Sequence, residues 1–235
     1  MGENPVKPSR TGKKNPREEY IHQQISDAIL EQRLAPGTKL TEESLSEIFG
    51  ASRTVVRRAL TRLNYENIVE IRPNRGAIVA SPSTAQALQV FEARQIIEEA
   101  ALRICVRKHS AGDVANLKNL VQAEKDCIAG NDRIAWIRLT GNFHLEIARI
   151  AGNEVIAKFL KELISQTSLI IALYGKTGGS LCSNDDHGKI VKAISQNDEQ
   201  KAVAMMLTHL EECVGSLNME DKQETRDLKS IFSSL

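Results

Sequence analysis

A chain of 235 residues with 41% hydrophobic and 26% charged residues is an ordinary soluble globular composition, long enough for two domains with real cores. The net charge of +1 hides an asymmetry: residues 1–82 carry 13 Lys and Arg against 10 Asp and Glu, and the remainder 18 against 20. That split fits a mildly basic nucleic-acid reader joined to a slightly acidic module of another kind.

No apolar run approaches the roughly 18 residues that a membrane span needs. A secretory signal is not expected from the polar N-terminus, with its Lys13 and Lys14. The cysteines (Cys105, Cys127, Cys182 and Cys213) are scattered without a CxxC pair, so buried thiols in a reducing compartment are expected. A cytoplasmic protein without a membrane partner is the expectation.

Residues 1–16 hold three prolines and read as a disordered tail. A first helix is predicted from Arg17 to Gln32, with Ile21, Ile25, Ala28 and Ile29 on one face. Pro36-Gly37 breaks it, and Thr41 can cap the next helix. Leu45, Ile48 and Phe49 then fall at helical spacing, Gly50 stands where this helix should stop, and Ser52 stands at the N-cap of another. That third helix carries Val56, Leu60 and Leu63 on one stripe. It also carries Arg53, Arg57, Arg58 and Arg62, with no acidic residue from Ala51 to Arg62.

Four arginines alone are more often a solvated face than a binding surface. The turn and caps favour a helix-turn-helix, whose second helix suits the major groove of DNA. Ile68–Ile71 and Ala77–Ala80 read as short strands around the turn Arg72-Pro73-Asn74-Arg75-Gly76, a hairpin wing. Residues 17–80 are therefore predicted to form a winged helix-turn-helix domain.

Residues 81–83 read as a linker, and 84–216 as an all-α bundle of six to seven helices, followed by a helix or tail over 217–235. Ser83 with Gln86 opens a helix to about Lys108, and Ser110 with Asp113 opens one to about Gly130. The next runs from Asn131-Asp132 to a break at Gly152-Asn153. Others reach Tyr174, run from Asn184 to Gln196 beyond a glycine-rich GKTGGS loop, and span Asp198 to about Gly215. The fold is thus mostly α.

His144, His187 and His209 each lie on the apolar stripe of a different bundle helix. Two readings stand: satisfied core residues, or ligands converging on one divalent metal through neutral imidazoles. Arg94 also lies on an apolar stripe, with Val90, Phe91 and Ile97, and either snorkels to solvent or pairs with Glu98 one turn on.

The run from Leu34 to Ala80 resembles the DNA-binding domain of the GntR family of bacterial transcription regulators. The matching pieces are L-x-P-G-x-x-L, E-x-x-L-x-x-x-F-G, S-R-T-x-V-R-x-A-L-x-R-L and R-G-A-x-V. The resemblance implies DNA contacts at Ser52, Arg53, Thr54, Arg57, Arg75 and Gly76. Arg53 and Arg57, one turn apart, could read guanine edges, and Ser52 and Thr54 could hold phosphate at the helix N-terminus. Gly76 would let the wing approach DNA closely. Val55 replaces a common proline and Arg58 a common glutamate; Arg58 and Arg62 stay open between DNA contact and solvated face.

The bundle resembles the FCD ligand-sensing domain of the FadR-type branch. It carries E-A-R-x-x-x-E around Arg94, F-H-x-x-I-A-x-x-A-G-N around His144, D-H-x-x-I-x-x-A-I around His187, and His209 at the preferred spacing. The resemblance implies a homodimer on a palindromic operator, with repression relieved by a small carboxylate effector bound near Arg94 and Asn153. It also implies a divalent metal, zinc or similar, on His144, His187 and His209. Metal-binding members have an aspartate where this chain has Thr140, which removes the anionic ligand and lowers the expected affinity.

An enzyme is not expected. The chain has no HExxH, and Gly175-Lys176-Thr177 imitates the end of a phosphate-binding loop, but Ile170 stands where its leading glycine should be. A metal-dependent hydrolase or an effector-free architectural DNA-binding protein are the competing readings.

Overall fold

The computed structural model describes residues 15–73, 75–175, 185–218 and 227–233. The predicted N-terminal tail up to residue 14, the GKTGGS loop beyond Gly175, Cys182, the helix start at Asn184 and residues 219–226 lie outside the described residues.

Helix α1 (Pro16–Leu30) starts at a proline that needs no amide partner, with the Asn15 side chain capping the Arg17 amide. Its buried face is Ile21, Ile25, Ala28 and Ile29, as the spacing required. Strand β1 (Lys39–Leu40) leads into α2 (Glu42–Phe49), capped by Thr41 and closed by Gly50 at φ +53°. Helix α3 (Arg53–Tyr65) follows at once, capped by Ser52.

The wing is β2 (Val69–Arg72) and β3 (Gly76–Val79), antiparallel with Arg72 opposite Gly76. The prediction had two strands; the sheet has three, in the order β1-β3-β2, with Lys39 opposite Ile78. A two-residue strand has no alternation to show, so only its pairing reveals it.

Among the described residues, six helices build the bundle: α4 (Thr84–Lys108), α5 (Ala111–Ala129), α6 (Arg133–Ala151), α7 (Glu154–Tyr174), α8 (Asp186–Ser195) and α9 (Glu199–Gly215). Ser83–Gln86 and Ser110–Asp113 form reciprocal capping boxes at the starts of α4 and α5. Among the described residues, no helix is long and apolar enough to cross a membrane.

The core does not divide where the sequence suggests. One buried cluster fills the far end of the bundle, with Leu102, Leu117, Phe143, Ile147, Met206 and Leu210 among its members. A small second cluster holds Ala148, Leu160 and Ile164, and a third runs without a break from α1–α3 into Phe91, Trp136, Ile137 and Leu169–Tyr174. Polar contacts stitch the same junction: the Gln32 amide donates to the Ala172 carbonyl (2.7 Å), and Arg138 pairs with Asp27.

The C-terminal segment was expected to be a helix or tail of its own. Its short helix α10 (Leu228–Ile231) instead lies against α2. Leu228, Ile231 and Phe232 are buried, the Phe232 ring sits 5.2 Å from that of Phe49, and Arg33 donates to the Ile231 carbonyl (2.7 Å). The end of the chain thus returns to the helix-turn-helix.

Candidate DNA interface and metal centre

The helix-turn-helix presents one concave cleft lined by Arg53 and Arg57 of α3, by Thr41, Glu42 and Glu43 at the start of α2, and by Arg72, Arg75 and Gly76 of the wing. Predicted contacts from the helix and from the wing therefore share one surface. Ser52, Arg53, Thr54 and Arg57 are exposed at the first turn and a half of α3. The Ser52 hydroxyl accepts the Val55 amide at 3.4 Å, so it caps the helix while facing solvent.

The cationic face is not uncompensated. Arg57 Nε and Nη2 donate to the two oxygens of Glu42, and Arg53 reaches Glu43 at 3.4 Å. The bond to Arg57 holds the Glu42 carboxyl below its usual range. Arg62 donates to Glu19 of α1 (2.6 Å) and to Glu66 (3.3 Å), which ties α3 to α1. Of the two arginines left open by the sequence, Arg62 is therefore an internal strut, while Arg58 is exposed on α3.

Gly76 has a reason that the sequence reading missed. Its φ is +80°, and a Cβ there would stand 2.4 Å from the Leu40 carbonyl oxygen and 3.0 Å from Thr41 Cα. Close approach is needed inside the protein, where the wing crosses the start of α2, quite apart from DNA.

In the bundle, His144 (α6), His187 (α8) and His209 (α9) are all buried, with one ring nitrogen each within 4.8 Å of the others. His187 Nε2 and His209 Nε2 are 3.2 Å apart. Phe143 stacks on His187 at 4.0 Å between centroids and fixes its plane.

A carboxyl group stands behind each ring. Glu98 Oε2 lies 2.5 Å from His144 Nδ1, Glu124 Oε2 lies 2.7 Å from His187 Nδ1, and Asp186 Oδ2 lies 3.8 Å from His209 Nδ1. The last is an ion-pair separation rather than a hydrogen bond. Burial pushes His144 down to about 3 and His187 well below its ordinary value, so both are neutral imidazoles able to offer a lone pair. Burial raises the Glu98 carboxyl, but His144 and Arg94 overcome this and hold it at about 2. Glu98 is thus an anion that accepts the His144 Nδ1 proton and leaves Nε2 as the lone pair. Burial takes Glu124 up to about 8, against the lowering pull of His209.

The residues fit a metal. Among the described residues, His144 Nε2, Thr140 Oγ1 and Glu124 Oε1 are buried without a hydrogen-bond partner, and unmet polar atoms cost about 1–3 kcal/mol each. Three imidazoles with carboxyl groups behind them is the arrangement that orients histidine ligands. His144, His187 and His209 would hold the ion.

Arg94 is buried beside this centre. Its Nε donates to Glu98 Oε1 (2.6 Å) and its Nη1 to Thr167 Oγ1 (2.9 Å), so Glu98 joins Arg94 to His144. Asn153 is not brought to the centre: it is exposed, and its side-chain oxygen caps α7 through the Val155 and Ile156 amides. Glu124 and Asp186 escaped the sequence reading. Glu124 falls on the buried stripe of α5 with Val114, Leu117 and Val121, and an acid on an apolar stripe was the available signal.

Residues 17–79 match the bacterial regulatory proteins of the gntR family, and residues 89–212 match the FCD domain. A Haemophilus influenzae protein described as an Uxu operon regulator is 29% identical over 212 residues, covering 82% of this chain and 77% of its own. The Escherichia coli K12 HTH-type transcriptional repressor RspR is 25% identical over 213 residues, covering 90% and 93%. The crystal structure of a GntR regulator described as putative, from Rhodococcus sp. RHA1, superimposes with a TM-score of 0.71 at 18% identity, covering 86% of this chain and 97% of that one. With more than half its length matched by the FCD domain and its N-terminal part by the gntR domain, this chain belongs to the GntR family of transcriptional regulators, in the branch that carries an FCD domain.

Proposed function

We propose that this chain is a cytoplasmic, homodimeric repressor that binds a short palindromic operator and releases it when the bundle takes up a small carboxylate effector. The observation that carries this reading is the position of Arg94. It is buried on α4, whose first turns (Ala87 and Phe91) belong to the same core as α1–α3. Arg53, Arg57 and Arg75 read and grip the DNA, with Ser52, Thr54 and the Gly76 turn against the backbone.

Arg94 offers the planar fork that pairs with a carboxylate. An effector there competes with Glu98 and Thr167 for the guanidinium, and so acts on α4 and α7 together. Asn153 is not assigned to the effector, because its oxygen is committed to the α7 cap. A divalent metal on His144, His187 and His209 would supply a Lewis-acidic point of attachment for the effector's oxygens. The effector shifts the population between two placements of the winged helices, and each tenfold change in operator affinity requires about 1.4 kcal/mol of differential binding. The chain acts by binding and catalyses no reaction.

A thermal-shift screen of small carboxylates, with and without divalent metals, followed by operator titration with each hit, tests the proposal. A true effector raises the melting temperature by mass action and weakens operator binding in the wild type but not in Arg94→Ala. If no carboxylate changes either reading, the chain is an effector-free DNA-binding protein.

A further inference from the structure

We propose that Cys213 is the fourth, anionic ligand of the metal centre, taking the place left open by Thr140. The inference rests on the three-histidine reading above and goes beyond it by changing the donor set from oxygen to sulfur.

Cys213 is on α9, one helical turn after His209, so both side chains leave the same face. Its Sγ lies 3.9 Å from His209 Nε2, the nitrogen that itself lies 3.2 Å from His187 Nε2. In a tetrahedral zinc site, Zn–N near 2.0–2.1 Å and Zn–S near 2.3 Å put two ring nitrogens about 3.4 Å apart, and a nitrogen and a thiolate about 3.6 Å apart. These two separations fall within a few tenths of an ångström of those values. The ligand atoms of the three histidines lie within 4.8 Å of one another and Cys213 stands outside that group, so its side chain has to close in on the ion.

The thiol is also on the required side. Along α6, Ile137 belongs to the core shared with the winged helix and Ile147 to the far cluster, so Thr140 lies on the winged-helix side of His144. Along α9 the order is reversed: Met206 and Leu210 belong to the far cluster and Cys213 to the shared core. Thr140 and Cys213 therefore approach the histidine layer from the same end. The unpartnered His144 Nε2, in a fully buried ring, independently marks a ligand position in that layer. Thr140 Oγ1, a neutral hydroxyl, is a poor donor to a cation.

Coordination replaces the S–H bond of Cys213 by a sulfur–metal bond and passes one proton to solvent. The thiolate reduces the charge of the ion in a buried site and makes the donor set soft. Such a set favours zinc or cobalt over the manganese and magnesium that a carboxylate would suit.

The test is cobalt(II) titration of the metal-stripped full-length protein, followed by optical absorption. The expected wild-type spectrum has tetrahedral visible bands and a near-ultraviolet sulfur-to-cobalt charge-transfer band. In Cys213→Ser and Cys213→Ala that band disappears, while it persists in Cys182→Ser. Zinc affinity should fall by more than the roughly 10–100-fold that loss of an outer partner costs. Melting of the metal-free variants shows that they fold. Adding Thr140→Asp to Cys213→Ala should restore affinity without the charge-transfer band. Tetrahedral cobalt bands in the wild type without charge transfer would overturn the role of Cys213 and leave the three-histidine centre standing. No cobalt uptake at all would overturn both.

Discussion

Arg57 and Glu42 form a two-point clasp across the helix-turn-helix, with Arg57 Nε and Nη2 donating to Glu42 Oε1 and Oε2 at 2.7 and 2.8 Å. Arg57 is thus held by a carboxylate of the preceding helix. On the proposed reading, DNA has to take it from Glu42, and that exchange favours sites that return two hydrogen bonds.

Replacing Arg57 by alanine removes a bidentate contact worth about 1–3 kcal/mol of base discrimination. Glu42→Gln has the opposite sign: it frees Arg57 and removes a negative charge, so non-specific DNA binding tightens. The pair is exposed on the arginine side, so protein stability should change by less than about 1 kcal/mol. Fluorescence anisotropy with operator and scrambled duplexes, at two salt concentrations, separates the outcomes. Unchanged operator binding by Arg57→Ala would remove it from the interface.

Gly76→Ala should destabilise the winged helix even without DNA. The new methyl group meets the Leu40 carbonyl at 2.4 Å on a backbone with φ +80°. The cost is on the order of 1–3 kcal/mol, since the strain of the left-handed backbone is joined by a steric clash. Denaturant unfolding followed by circular dichroism measures it. A wild-type midpoint would mean that the wing can move away from α2 freely.

Phe232→Ala tests the docking of the chain's end. Phe232 is buried against Phe49, and truncating a buried phenylalanine typically costs about 3–5 kcal/mol. Because the loss falls on α2, calorimetry should show the winged helix unfolding earlier relative to the far end of the bundle. Deletion after Asn218 should do at least as much. A single transition at the wild-type temperature in both would show that the docking adds nothing to stability.

Asp113 gives a pH test away from the histidines. Its bonds from the Ser110 hydroxyl and amide, and then from Arg149, hold its carboxyl at about 2, below the ordinary 3.8. A depressed folded value means that its contribution is complete above about 3.8 and disappears as pH falls through about 2. The gap in melting temperature between wild type and Asp113→Asn should therefore be constant above pH 4 or so and shrink below it. A gap that widens on acidification would contradict the assignment.

Much of the molecule was legible one segment at a time. Thr41, Gly50, Ser52, Ser83 and Ser110 end or start helices through atoms within a few residues of themselves, so their roles follow from spacing. The three histidines could be read as inward-facing for the same reason. Asn153 shows what a motif leaves open, since a cap and a ligand look alike there: the same oxygen can accept an amide or meet an effector, and the structure shows it accepting the Val155 and Ile156 amides.

Sequence by itself determined the helix-turn-helix, the wing turn and the three histidine-bearing faces, because each depends on torsions and periodicity within one or two turns. Tertiary structure alone decided which charges meet. Glu42 closes on Arg57, Glu124 stands behind His187, Phe232 returns to Phe49, and the α9 face that carries His209 and Cys213 meets His187 of α8. Glu42 and Arg57 lie on adjacent helices and His209 and Cys213 on one, while the other partners are separated by whole helices in the chain. Their meeting is set by how the helices pack around shared cores, and no local spacing records that.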